Sequence, residues 1–381
     1  MKILILSSNL SNEAGGYSES SFLLRERLEK IKNNDVYLFG FWKSKLLNLD
    51  YKLIDKINIF SPGIIKKFPF SISYFNKMKK IQPDIIDAQG LWASSTVFNI
   101  FYNIFTSTPY IVTPRGMLEK WAMQRSFIKK QIFYFIFEKL HIKNAKCLRA
   151  TSLMEAKTFL KLGFKNPIIN VPNSIKIPNL KNKSLIKKKT KYRLLFLSRF
   201  HPKKGLSELL HAWKLLQDKN SNWELVICGY DEKQYQKKMK DLEKNLKLKR
   251  VIWKNFVVGK EKDRIFRSCD LFVLLSYSEN FGLAIAEALS YRLPVITTLN
   301  TPWKNLNKKK CGWCISLEMT KIVKTMNYAM KLDPKKRFIM GSRGRKWVIR
   351  DFSDKSIGKK MNTVYKWILN KGPKPKSLVL N

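Results

Sequence analysis

Two glutamates eight positions apart, Glu279 and Glu287, enclose a segment that could bind a phosphate. An apolar run before them predicts a buried strand, and a helix is predicted to start at Phe281. The first N–H groups of a helix lack internal partners, and the helix dipole also attracts an anion. Gly282 would let that anion approach the backbone closely. Because carboxylates accept hydrogen bonds from sugar hydroxyls, the segment suits a nucleotide-sugar; an amphipathic helix with two solvated glutamates is the alternative.

A second motif combines two cations on one loop. Residues 192–198 predict a strand, residues 206–217 predict a helix, and Arg199 and Lys204 lie on the loop between them. Arginine offers a planar fork of donors to a phosphate, whereas lysine offers a point charge. The pair therefore predicts a diphosphate site. The alternative is chance, because cations are frequent throughout this chain.

The beginning of the chain has a related pattern. Residues 1–8 predict a strand, a tight loop contains Gly15 and Gly16, and a helix with Leu24 and Leu28 on one face follows. A strand, a glycine loop and a helix are typical of phosphate contacts in Rossmann-like units. A plain turn that needs positive φ is the alternative for either glycine.

These three motifs resemble those of GT-B-type retaining glycosyltransferases of family 4. The resemblance implies that Glu279 contacts the donor sugar, that Glu287 holds the ribose, and that Arg199 and Lys204 clamp the diphosphate and offset the charge on the leaving group. It also implies that the glycine loop faces the donor diphosphate and the acceptor. The remaining donor-binding residues implied are Gly15, Gly16, Asn280, Phe281, Gly282 and Leu283.

Other parts of the chain narrow the resemblance to the subgroup that assembles bacterial surface polysaccharides and lipopolysaccharides. The matching segments are Gly90-Leu-Trp92, Pro114-Arg-Gly-Met-Leu118, Trp121-Ala122, Thr301-Pro-Trp303 and Cys311-Gly-Trp313. The first two follow predicted strands, where open α/β sheets bind ligands. We therefore expect Gln89, Trp92 and Arg115 to bind the acceptor. Relatives usually carry a histidine near Gln89, which this chain replaces with a residue that cannot carry a proton.

The order of predicted elements indicates an α/β protein. Strand-like and helix-like runs alternate along the 381 residues, which favours parallel sheets covered by helices on both faces. Residues 172–191, rich in lysine with two prolines, predict an interdomain linker. We expect two Rossmann-like domains facing across a cleft, with an acceptor-binding domain at 1–175 and a nucleotide-sugar-binding domain at 190–350. The resemblance implies that a C-terminal helix within 351–381 returns to the first domain.

Charge is the strongest bulk property, with a formal net charge of +46. This predicts attraction to an anionic surface, although compositional drift is the alternative. We expect no nucleic acid as partner, because no binding module is recognisable and arginine is scarce. Residues 125–139 interleave aromatic and aliphatic side chains with cations, which predicts either an interfacial membrane helix or a core helix. With a strand rather than a signal peptide at the start, the expected location is cytoplasmic, with peripheral contact to the inner membrane.

The cysteines and acidic residues are the candidates for a metal-binding motif in this sequence. Cys311 and Cys314 have the spacing of a metal or redox motif, but no second such pair is present. No Asp-x-Asp pattern indicates a metal–diphosphate site. We therefore expect metal-independent chemistry with no cofactor, in which Arg199 and Lys204 replace the metal.

The combined expectation is a retaining glycosyltransferase. It would move a hexose-type sugar from a UDP-sugar, or next a GDP-sugar, to a lipid-linked or surface-polysaccharide acceptor. One alternative is a nucleotide-sugar epimerase on the same fold, which the scarcity of histidine disfavours. The other is a basic scaffold that binds a membrane or nucleic acid without catalysis.

Overall fold

A computed structural model of the chain describes residues 1–10, 16–41, 56–60, 72–124, 127–180, 189–230 and 234–379. The strands in these ranges are β1 (Lys2–Ser7), β2 (Asp35–Phe41), β3 (Ile57–Phe60), β4 (Ile85–Gln89), β5 (Tyr110–Thr113), β6 (Cys147–Ala150), β7 (Ile168–Asn170), β8 (Tyr192–Leu197), β9 (Trp223–Cys228), β10 (Val251–Lys254), β11 (Leu271–Leu274), β12 (Val295–Thr298), β13 (Gly312–Ile315) and β14 (Leu378–Val379).

The helices in the same ranges are α1 (Gly16–Glu29), α2 (Ile72–Ile81), α3 (Ser94–Thr106), α4 (Lys120–Gln124), α5 (Phe127–Phe133), α6 (Lys139–Asn144), α7 (Leu153–Lys161), α8 (Leu206–Leu216), α9 (Tyr235–Asn245), α10 (Gly259–Ser268), α11 (Leu283–Ser290), α12 (Met319–Lys331), α13 (Pro334–Phe352) and α14 (Asp354–Ile368). A π-helical turn (Tyr134–Glu138) joins α5 to α6, and 3₁₀ turns occur at Pro202–Lys204 and Lys304–Leu306.

The chain divides into two compact units. The first contains Met1–Ile175 together with Asp354–Asn381, and the second contains Lys176–Ser353. The division falls at the start of the predicted linker, and residues 176–180 belong to the second unit. Arg345 and Arg267 explain this, because their guanidinium groups donate to the carbonyl oxygens of Pro178 (2.8 Å) and Asn179 (3.0 Å).

The first unit is built on one large sheet, in the order β14-β7-β6-β5-β4-β1-β2-β3, in which only β14 runs antiparallel to its neighbour. Both faces are buried. Along β1, Leu4 and Leu6 join one apolar cluster while Ile3 and Ile5 join the other. This alternation follows from the two-residue period of a strand, and an apolar residue at every position is what a doubly covered parallel sheet requires.

The last helix belongs to the first unit. α14 packs against α1, and its buried face includes Ile357, Met361 and Val364 in the cluster on one side of the sheet. The Tyr365 hydroxyl donates to Asp87 Oδ2 at 2.7 Å in the buried interior. Burial of this apolar face fixes α14 on the sheet.

The second unit has a six-stranded parallel sheet in the order β10-β9-β8-β11-β12-β13. The chain adds β9 and β10 on one side of β8, and then crosses to add β11, β12 and β13 on the other. Loops at the carboxyl ends of strands diverge at such a reversal, which is where open α/β sheets bind ligands. The two parallel sheets with helices on both faces confirm the predicted α/β class with two Rossmann-like domains.

The segment predicted as an interfacial or core helix is found as α5, the π-helical turn and the start of α6, while residues 125 and 126 lie outside the described residues. α5 buries none of its residues, so the core-helix interpretation is wrong for it. Within the described ranges, no helix is both long and apolar enough to cross a bilayer.

Candidate functional site

Two loops meet at the carboxyl edge of the second unit's sheet. One follows β8 and carries Arg199 and Lys204; the other follows β11 and carries Glu279. They are neighbours because β8 and β11 pair directly, with Leu194 opposite Leu271. The Lys204 ammonium donates to Glu279 Oε1 at 2.5 Å, although the two residues are far apart in sequence. The structure thus brings together one member of the predicted cation pair and the first predicted glutamate.

Gly205 allows this close approach. Its φ is +68°, and a Cβ built there would lie 2.0 Å from the carbonyl oxygen of Leu275. Any side chain would therefore force the two loops apart. A hydrogen bond of 2.8 Å from the Tyr277 N–H to the Lys203 carbonyl also joins them. The close backbone contact and the positive φ together favour glycine over every other residue at this position.

Glu279 is held as a carboxylate. Burial by itself would raise its pKa, but attraction to Lys204, the hydrogen bond from Lys204 and a hydrogen bond from Ser276 act in the opposite direction. The net result is a pKa below the usual value for glutamate. The Ser276 hydroxyl donates to the same oxygen, Oε1, at 2.8 Å. The hydrogen bonds from Lys204 and Ser276 both fall on Oε1 and hold the side chain in place at the sheet edge.

The helix after these loops starts later than predicted. α11 begins at Leu283 rather than at Phe281, and Gly282 is its N-cap in a left-handed conformation, with φ of 77°. A tertiary contact accounts for the shift, because the Trp303 indole N–H donates to the Phe281 carbonyl at 2.5 Å. Of the three predicted anion donors, Leu283 is the first residue of the helix, whereas Gly282 and Phe281 precede it. The N–H of Ile285 is already bonded to the Gly282 carbonyl.

The second predicted glutamate also has a cationic partner. Glu287 lies on α11, and its Oε1 accepts a hydrogen bond of 2.5 Å from the Lys262 ammonium on α10. Both side chains are largely buried. Each glutamate of the Glu279–Glu287 pair is therefore contacted by a lysine from a different element of the second unit.

Two further predicted donor residues lie on the same loops. Arg199 is exposed on the loop after β8, and Asn280 is half-buried between Glu279 and Phe281. Their places on the chain put them on the loops that Lys204 and Glu279 connect. The predicted donor residues of the second unit thus belong to a single edge of one sheet.

In the first unit, two of the predicted acceptor residues contact each other. Arg115 donates to Gln89 Oε1 at 2.6 Å, and Ser21 donates to the same oxygen at 2.8 Å. The Gln89 amide in turn donates to Asp87 Oδ2 at 3.2 Å. Burial lowers the pKa of Arg115 to about 10. Gln89 is buried, and its side-chain oxygen accepts hydrogen bonds from both Arg115 and Ser21.

Trp92 is placed apart from that pair. Its backbone N–H donates to Glu138 Oε1 at 2.6 Å, and its indole packs near Phe133 and Tyr134. Gly90 and Trp92 both have positive φ, which turns the chain sharply after β4. The three predicted acceptor residues therefore form one contacting pair and one separate aromatic side chain.

Of the two predicted glycines, Gly15 lies outside the described residues and Gly16 is the first residue of α1. The next residue, Tyr17, bridges the carboxyl ends of β1 and β4, where the strand order of this sheet reverses. Its hydroxyl donates to the Gln89 carbonyl at 2.5 Å and also contacts Ser8, which follows β1. Tyr17 is a site-forming residue that the sequence did not indicate.

Three residues in the second unit were also missed. Ser276 and Trp303 fix the loop around Glu279, and Lys262 pairs with Glu287. Ser276 directly follows the apolar strand run, so its position was a usable signal. Lys262 carried no such signal in a chain with 74 lysines and arginines.

The Cys311 and Cys314 sulfurs are buried and contact different carbonyls, those of Leu306 (3.8 Å) and Thr298 (3.2 Å). Among the described residues, no group of three or more His, Cys, Asp or Glu side chains is arranged to hold a metal ion.

Comparisons with known proteins point to one family. Residues 178–347 match the model of the family described as glycosyl transferases group 1. An uncharacterised 41.2 kDa protein from the cps region of Klebsiella pneumoniae is 27% identical over 222 residues, 56% of this chain. Sucrose-phosphate synthase from Thermosynechococcus elongatus superposes with a TM-score of 0.77 at 17% identity, over 97% of this chain and 99% of that one. HepE of Anabaena, solved with UDP-glucose, gives 0.74 at 17% identity, over 96% and 100%.

The two solved structures show the fold, which is GT-B, as the motifs implied. The family match covers the second unit almost completely. The chain spans 59% of the length of the Klebsiella relative.

Proposed function

We propose that this chain, whose residues 178–347 match the glycosyl transferases group 1 family, is a retaining glycosyltransferase. It moves a hexose-type sugar from a nucleoside-diphosphate sugar, UDP first and GDP next, to a glycan or lipid-linked precursor of a surface polysaccharide or lipopolysaccharide. The relative in a Klebsiella cps region and the neighbour solved with UDP-glucose support this choice of pathway and donor.

The donor diphosphate binds at the edge of the second unit's sheet. Lys204 and Arg199 supply positive charge from the loop after β8, and the N–H groups around Gly282 and Leu283 supply donors at the start of α11. In the structure Lys204 is bonded to Glu279. When the donor binds, the ammonium is shared between that carboxylate and the β-phosphate, because an ammonium has three donors.

The two glutamates bind the sugars of the donor. Glu279, kept ionised by its lysine, accepts hydrogen bonds from hydroxyls of the transferred sugar. Glu287, four residues after the start of α11, accepts hydrogen bonds from the ribose hydroxyls. These hydrogen bonds replace part of its present contact with Lys262. Asn280 and Phe281 contribute backbone groups between them. These are the contacts that a nucleotide-sugar needs and that a free phosphate would leave unused.

The reaction proceeds on the front face of the sugar. The bond from the anomeric carbon to the diphosphate breaks, and the acceptor hydroxyl attacks from the same side. Its proton passes to the leaving phosphate, so no protein base is needed. Arg199 and Lys204 stabilise the charge that develops on the diphosphate, as fixed cations do for a transition state. This chemistry is independent of metal and cofactor.

The first unit binds the acceptor. Arg115, held by Gln89 and stacked 4.8 Å over the ring of Tyr17, offers a positioned cation near the start of α1. Trp92 offers an aromatic surface to a sugar or lipid. We place the enzyme in the cytoplasm, at the inner face of the membrane where lipid-linked acceptors lie.

The observation that carries the proposal is the contact between Lys204 and Glu279 beside the start of α11. A thermal-shift panel of UDP, GDP and their sugars tests it. A ligand present at 100 times its Kd stabilises the folded state by about 2.7 kcal/mol. We expect one base to stabilise the protein and its sugar conjugates to do likewise. If no nucleotide stabilises it, the proposal fails and a basic scaffold becomes the better account.

A further inference from the structure

The first unit exposes large apolar side chains along one segment. Between α5 and the start of α6, an apolar stripe consists of Ile128, Ile132, Phe135, Ile136 and Leu140, which are 45–73% exposed. Their spacing of three or four positions, with Phe135 and Ile136 adjacent, places them on one side of the segment. Such a stripe normally faces a protein core.

The inward side of this segment is partly polar. Glu138 and His141 are fully buried, and Glu138 accepts hydrogen bonds from the Trp92 N–H and from the Thr96 hydroxyl at 2.9 Å. Asn99 contacts the His141 ring at 3.0 Å. These contacts fasten the segment to α3 through polar groups while the apolar stripe points outward. This is the reverse of the usual amphipathic surface helix.

The neighbouring helix also exposes large apolar side chains. α3 packs against the π-helical turn and α6, and it exposes Ile104 and Phe105 by 65% and 74%. Apolar surface on two packed elements is more than the isolated residues that any protein exposes. It therefore marks an interaction surface.

The excess of lysines and arginines around the apolar stripe indicates what kind of surface it binds. Residues 90–146 contain eight lysines and arginines but two acidic residues, one of which is the buried Glu138. Lys129 and Lys139 are exposed within the segment, and the Lys139 ammonium lies 5.9 Å from the ring of Phe135. Apolar side chains interleaved with lysines fit a layer that has acyl chains below anionic headgroups. Long lysine stems reach the headgroups while the stripe is buried.

We propose that the apolar stripe and Lys129 and Lys139 insert into the interface of a membrane leaflet containing anionic lipid. The inference extends the proposed function, because a lipid-linked acceptor would lie in the same leaflet. It stands on the exposure and charge of the segment, which do not involve the nucleotide site.

Sedimentation with vesicles tests the proposal. The full chain is mixed with vesicles of phosphatidylcholine containing phosphatidylglycerol, and with vesicles of phosphatidylcholine alone. We expect binding to the anionic vesicles, and we expect I132E/F135E to lower the partition coefficient by at least about tenfold. The matched control is L215E, since Leu215 is 56% exposed on α8 of the second unit. It should bind within about twofold of the unmodified protein.

Two results would overturn the inference: the unmodified protein stays in the supernatant, or I132E/F135E binds as well as L215E. Circular dichroism checks that each variant is folded. If I132E/F135E does not fold, K129E/K139E replaces it, and undiminished binding by that variant overturns the inference equally. Thermal shift with UDP on the same samples separates the two proposals. Nucleotide binding without vesicle binding defeats the membrane surface alone, whereas vesicle binding without nucleotide binding defeats the proposed enzyme alone.

Discussion

Lys204 and Glu279 are 75 positions apart in sequence, yet the ammonium of one and the carboxylate of the other are 2.5 Å apart. The contact exists because β8 and β11 are adjacent in the sheet although two strands separate them along the chain. It joins the two loops that carry the proposed diphosphate and sugar contacts.

Removal of the Lys204 ammonium should weaken nucleotide binding. A hydrogen bond to a charged group contributes about 1.5–3 kcal/mol, so K204A should raise the Kd for UDP by roughly 10- to 100-fold. The control is K214A, which removes the same charge from an exposed position on α8. Isothermal titration measures both, and equal Kd values for the two variants would contradict the proposed clamp.

The stability of the protein should depend on pH through Glu279. Its pKa in the folded state lies below the ordinary value, so the ionised form stabilises the fold above pH about 4.5, and this contribution is lost as the pH falls through the lower folded pKa. Urea unfolding of the unmodified protein and of E279Q, at several values between about pH 3 and pH 7, should show a stability difference that shrinks towards acid. A difference independent of pH would mean that the Glu279 charge is not stabilised as described.

Gly205 should tolerate no side chain. In G205A the new Cβ would lie 2.0 Å from the Leu275 oxygen and would also occupy positive φ. The positive φ should lower the free energy of unfolding by about 1 kcal/mol, and overpacking should lower it by about 1–3 kcal/mol more. G259A is the control, because Gly259 has φ of +54° but nothing within 4 Å of a built Cβ. Urea unfolding should show the larger loss for G205A; equal losses would refute the close approach of the two loops.

The hydrogen bond from Tyr365 on α14 to Asp87 on β4 should contribute measurably to the free energy of unfolding. Y365F removes a donor to the buried Asp87 carboxylate and should cost about 1–3 kcal/mol of unfolding free energy. Y74F is the matched variant, because the Tyr74 hydroxyl is also buried but hydrogen-bonds to none of the described residues. It should be neutral or slightly stabilising. If Y365F proves as harmless as Y74F, α14 is not held by this hydrogen bond.

Much of the fold was accessible from sequence because its central strands are continuous apolar runs. The apolar runs at 192–198 and shortly before Glu279 correspond to β8 and β11. Strands such as β10 and β13 were missed. β10 is half exposed at a sheet edge, and β13 begins with Gly312, whose built Cβ would lie 2.2 Å from the Val295 oxygen. Each contains only three consecutive apolar residues, which is too short a run to indicate a strand.

The candidate site was predictable where its residues follow strands. Arg199, Lys204 and Glu279 come directly after β8 and β11, so parallel pairing places them at one edge. The start of α11 was misplaced because the Trp303 contact to Phe281 is a tertiary interaction that no local pattern reveals. Sequence also could not decide which way the segment around Phe135 faces, since it is apolar on most sides.

The most direct test of the account compares how tightly the full chain binds a nucleoside, its monophosphate and its diphosphate. The central claim is that cations after β8 and N–H groups at the start of α11 grip a diphosphate. Isothermal titration with uridine, UMP and UDP, and with the guanosine series, should show affinity rising strongly at the diphosphate in one series. That rise should be lost in K204A. Equal affinity for nucleoside and diphosphate, or no binding in either series, would contradict the account.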